Sequence, residues 1–99
     1  MVAVELHNLG HVEIHCGNAE AAERCFAECA AMAGDDPYSL ALGRANEAAV
    51  AYVRGDAERA EELLAAADEM VKDRAIDLAA DDEAEIEWLR AQLAARAGE

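Results

Sequence analysis

Apolar positions along the chain recur mainly every three or four residues, the spacing of amphipathic helices. In the first segment Leu6, Leu9, Val12 and Glu13 fall at helical spacing. Gly17 then supplies a permissive turn backbone, and Asn18 is placed to cap a second helix whose buried stripe is Ala22, Phe26 and Cys29. Asp36-Pro37 opens a third helix, an N-cap followed by proline in the first turn, where a helix tolerates it. Gly55-Asp56 repeats the turn and cap, and Ala60, Leu63, Leu64 and Ala67 form the stripe of a fourth helix. No breaker interrupts Asp56 to Ala80, while Met70, Val71 and Leu78 prolong the apolar face. This helix is therefore expected to outlast its counterpart by a turn or more, reaching as far as residue 79. Asp82-x-x-Glu85 resembles a capping box and starts a last helix buried along Ile86, Leu89 and Leu93.

Two of these units are copies of one another. Gly17-Asn18-Ala19-Glu20 aligns with Gly55-Asp56-Ala57-Glu58 at an offset of 38, and the match carries Asn8 onto Asn46, Val12 onto Val50, Ala22 onto Ala60 and Phe26 onto Leu64. A period of this length signals stacked supersecondary units, each unable to bury its apolar face alone. The expected organisation is one all-α domain over residues 1–99: repeat one over about 3–34, repeat two over about 37–73, and a capping helix over about 82–97 that shields the open end of the stack.

Composition narrows what such a stack can do. Leu, Ile, Val and Phe number only 19 against 26 Ala in 99 residues, so the core is thin and depends on small side chains that let helices approach closely. With 22 acidic against 8 basic residues and a net charge of -14, the surface repels phosphate and anionic lipid, which argues against direct nucleic-acid binding and membrane association. No stretch approaches the roughly 18 to 20 apolar residues of a membrane span. Three cysteines, Cys16, Cys25 and Cys29, without an apolar leader-like run, suggest reduced thiols and a cytoplasmic location.

The paired units resemble tetratricopeptide repeats, whose pattern runs approximately W/L-x-x-L-G-x-x-Y, a Gly-Asp-like turn, then A-x-x-x-F-x-x-A. Unit one matches through Leu6, Leu9-Gly10, Gly17-Asn18, Ala22, Phe26 and Cys29, and departs at Glu13 and Gly34; unit two matches through Ala48, Gly55-Asp56, Ala60, Leu64 and Ala67, and departs at Arg44 and Glu47. The resemblance covers about two thirds of the chain, and the alanine-rich style is similar to repeat segments of actinobacterial regulators and signalling ATPases. It implies a right-handed stack of two helix hairpins closed by the capping helix. It further implies a concave groove lined by Val4, His7, Asn8, His11, Ile14 and His15 from the first unit and Leu42, Ala45, Asn46, Ala49, Tyr52 and Val53 from the second. Asn8 and Asn46 occupy the positions that in the family hydrogen-bond a bound peptide.

His7, His11 and His15, four apart, share one helical face. Three readings stand side by side: groove residues that stack and hydrogen-bond, ordinary solvated side chains, or a zinc or nickel site. The metal reading lacks ligands, because Cys25 and Cys29 belong to the next helix and no second cysteine pair exists. Tyr52 and Trp88 are read either as packing residues or as aromatic anchors for a partner. A catalytic centre finds no support: Ser39 is the only serine, no glycine-rich phosphate loop occurs, and Asp35-Asp36 and Asp81-Asp82 suit helix starts. The expectation is a non-catalytic scaffold without cofactor or metal that binds a protein or peptide segment. A metal-binding protein and a homodimerisation module of a larger regulator are the alternatives.

Overall fold

The computed structural model describes residues 3–98 and is all-helical: α1 (Ala3–His15), α2 (Ala19–Met32), α3 (Pro37–Val53), α4 (Ala57–Asp73) and α5 (Ala80–Ala97). Helix α1 packs along α2 and α3 along α4, giving two hairpins. Gly17 and Gly55 turn them at φ +77° and +86°, a left-handed backbone that glycine adopts without steric penalty. The caps are less uniform than the repeat. Asp36 and Asp56 each accept the backbone N–H three residues on at 3.1 Å. Asn18 stands at the N-cap of α2 but makes no side-chain cap; its Nδ2 donates to Glu13 Oε2 at 2.8 Å.

Helix α3 is central. Ala41, Ala45, Ala48, Ala49 and Ala51 are all buried on it, and these small side chains let α1, α2, α4 and α5 gather around one rod. Gly10 serves the same end between α1 and α2. A Cβ there would stand within 2.9 Å of three Phe26 ring atoms, so only hydrogen fits.

Two expectations need correcting. Helix α4 outlasts α2, at 17 residues against 14, but stops at Asp73. Ala75 turns at φ +50°, Ile76 N–H bonds back to Val71 O at 2.9 Å, and Leu78 packs on the core, so burial of that leucine overrides an uninterrupted helical sequence. Helix α5 starts at Ala80, its N-cap Ala79 makes no side-chain cap, and Asp82 and Glu85 are engaged elsewhere. Leu9 and Val12 are exposed, because the outer face of α1 has no neighbouring helix to cover them.

The final helix packs against the second hairpin, the place expected of a capping helix. It rests on α3 and α4, and its side chains reach across to α1. Folding back in this way keeps the radius of gyration at 12.6 Å, near the roughly 13 Å of a compact 100-residue domain.

Candidate functional site

The twelve positions expected to line a groove divide sharply. Ile14, Ala45, Ala49, Asn46 and His7 are buried; His11, Leu42, Tyr52 and Val53 are half-buried; Val4, Asn8 and His15 are exposed. Much of the burial comes from α5, which lies over the concave face formed by α1 and α3, while His7 and His11 also pack against Phe26 of α2. Beneath α5 remains only about 10 Å³, bounded by residues including His11, Ile14, Asn46, Glu85 and Leu89, too little for a guest. The expected open groove is therefore filled in this structure by the chain's own last helix.

The contacts of α5 explain the histidine row. His15 Nε2 donates to Glu85 Oε2 at 2.9 Å, and His11 Nδ1 lies 3.1 Å from the same oxygen but out of line for a hydrogen bond. His11 Nε2 donates to Asn46 Oδ1 at 3.1 Å, tying α1 to α3. His7 Nδ1 is 3.9 Å from Asp82 Oδ1, while its Nε2 is buried without a partner. Burial, helped by His7 and His15, holds the His11 pKa below the ordinary imidazole value against the opposing pull of Glu85 and Asn46. Among the described residues, no three His, Cys, Asp or Glu side chains are placed to hold a metal ion together. The histidines face single carboxylates, and the cysteines lie off this face; no disulfide joins any of the described cysteines.

Aromatic rings complete the seat. Trp88 meets His15 edge-on with centroids 4.4 Å apart and Tyr52 at 6.0 Å, and Tyr52 OH donates to Gln92 Oε1 at 3.2 Å. At the start of α5, Tyr38 OH donates to Asp82 Oδ2 and accepts the Ala79 N–H at 2.8 Å. Burial and the neighbouring Asp82 carboxylate both push the Tyr38 pKa up. None of this was legible in the repeat, because Asp82 and Glu85 read locally as helix-start residues.

A second site is open. Between α2 and the second hairpin runs a cleft of about 740 Å³, within the range of binding cavities in general. Its walls are apolar, with Phe26, Ala27 and Ala30 from α2 facing Leu42, Val50 and Leu63 from α3 and α4. Asn46 and His7 also border it. At its mouth Arg54 grips Glu23 through two hydrogen bonds of 2.9 and 3.1 Å. That pairing lowers the Glu23 pKa and raises the Arg54 pKa. Burial pushes the Cys29 thiol, also on the wall, upward, which keeps it protonated. The cleft exists because α2, packed along α1, meets the second hairpin mainly through α3.

No protein-family model, curated protein or solved structure matches the chain. Among the described residues no helix is long and apolar enough to cross a membrane.

Proposed function

We propose that the domain is a non-catalytic interaction module, of tetratricopeptide-like construction, that accepts an apolar helical segment of a partner protein in the cleft between its two hairpins. The observation that carries this reading is the open 740 Å³ cleft with apolar walls on both sides, alongside a concave face already occupied by α5. A partner helix presents leucine-like side chains at three- and four-residue spacing, and Phe26, Val50 and Leu63 offer the matching apolar surface. Polar groups at the rim, Glu23, Glu47, Arg54 and Arg59, would fix its orientation.

The test is selection of helical peptides from a display library on the full chain, followed by binding measurements on an Ala30→Trp variant. Ala30 is exposed on the cleft wall, so the larger ring obstructs the cleft without entering the core. Selected peptides are expected to lose at least tenfold in affinity on Ala30→Trp. Peptides that bind both forms equally, or a selection that yields none, would refute the reading.

A further inference from the structure

We propose that α5 is an exchangeable arm: two copies of the chain swap it, each seating its own α5 on the concave face of the other. The proposal concerns the concave face under α5, which shares His7, Leu42 and Asn46 with the border of the cleft, and it does not rest on what the cleft binds.

Most of what holds α5 in place lies between the helix itself and the body; the connection adds Leu78 on the core and the Ala79 N–H on Tyr38 OH. Ile86, Leu89 and Leu93 bury an apolar stripe. Glu85 meets His11 and His15, and Arg90 grips Asp68 on α4 through bonds of 2.8 and 3.1 Å. The contacts made by α5 itself are reproduced unchanged when the arm comes from a second chain, and what must differ is the connection between Asp73 and Ala80 with its Leu78 and Ala79 contacts.

That connection is built to differ. Ala75 sits at φ +50°, a left-handed conformation that raises the energy of any residue with a Cβ by about 1–2 kcal/mol. Short hinges under strain favour exchange. Equally, no glycine or proline occurs from Ala57 to Ala97, so the connection can straighten and join α4 to α5 in one helix. Such a helix would be about 60 Å long, enough to carry the arm clear of its own body. The occupant is a second copy because its α5 brings carboxylates at Asp82 and Glu85 and the apolar stripe in the spacing the seat already fits.

Three effects oppose the dimer. Straightening the connection gives up the Leu78 and Ala79 contacts. The tethered arm has a high effective concentration in its own seat. With a net charge of -14 per chain, two copies also repel, and salt screens that repulsion. Exchange is therefore expected to be favoured by high protein concentration and by salt.

The experiment is light scattering on the full chain from about 1 µM to 1 mM in 0.05 and 0.5 M NaCl, a range over which the screening length falls severalfold. A dimer that grows with both is expected, and Ala75→Gly, which relaxes the closed hinge, is expected to lower its fraction at least threefold. The exchanged element is identified with two charge-reversed chains, Glu85→Lys and His15→Glu. Each mismatches its own seat, whereas a mixed pair matches Lys at 85 with Glu at 15 in one seat and restores Glu85 with His15 in the other. Mixing them is expected to yield heterodimer. A chain that stays monomeric at 1 mM and high salt overturns the proposal. So does a dimer indifferent to Ala75→Gly, or a mixture that forms no heterodimer.

Discussion

Glu85 accepts a hydrogen bond from His15 Nε2 at 2.9 Å although 70 positions separate them, and this contact joins the first helix to the last. Neither partner is fully buried, so the bond itself is a modest contributor, about 0.5–1.5 kcal/mol. Its larger effect is on position, because it holds Trp88 against both His15 and Tyr52. Glu85→Gln is expected to keep much of that geometry, whereas Glu85→Ala should lower stability by about 1 kcal/mol. Trp88 fluorescence during urea unfolding checks this. The alanine variant should show a lower midpoint and an altered native emission, the glutamine variant a native emission close to that of the unaltered chain.

Acidification is expected to weaken the seat through His11. Its pKa is depressed chiefly by burial, so the unfolded chain takes up a proton at a pH where the folded chain still resists it. Stability is therefore full above the ordinary imidazole value of about 6.5 and declines as pH falls from there toward the depressed folded value. The groups facing His11 are His7 and His15 on its own helix, Glu85 on α5 and Asn46 on α3. Urea midpoints measured from pH 7.5 to pH 5.5 test the sign, and His11→Gln should flatten the dependence. A midpoint that rises on acidification would show that the Glu85 attraction outweighs burial.

The five helices and the glycine turns could be read from periodicity, because spacing of apolar residues and turn chemistry are local properties. Where the reading departed from the structure, a tertiary contact had intervened. Leu78 ended α4 by finding the core, a contact invisible in a stretch that lacks any breaker. Asp82 and Glu85 resembled a cap but face Tyr38 and two histidines from residues 44 to 74 positions away. The histidine row was correctly placed on one face, yet what that face met depended on where α5 came to rest. The cleft escaped for the opposite reason: it is a gap between hairpins, set by the lean of α2 on α3 rather than by any motif.

Glycine substitutions separate close approach from mere flexibility. At Gly10 a methyl group collides with Phe26, and overpacking of this kind costs about 1–3 kcal/mol, more than the up to 1 kcal/mol that alanine returns in helix propensity. At Gly43 on α3, nothing lies within 4 Å of the added Cβ, so only the propensity gain remains. Gly10→Ala should lower the thermal midpoint and Gly43→Ala should raise it by the equivalent of about 0.5–1 kcal/mol. Calorimetry on the two variants checks the opposite signs.

Leu89 carries the final prediction because it is the largest side chain fully enclosed in the structure, at 2% exposure, between α5 and the α3–α4 hairpin. Leu89→Ala removes three carbon atoms from a site that polar contacts on either side hold in place, so little collapse can fill the space. The expected loss is about 2–5 kcal/mol. Since α5 is otherwise fastened by Glu85, Gln92 and Arg90 at its surface, that loss falls first on the seating of the arm rather than on the two hairpins. Hydrogen exchange should therefore accelerate in α5 and at the α1 histidine row before it does in α3 and α4. Uniform acceleration across all five helices would instead mean that the arm and the hairpins unfold as one cooperative unit.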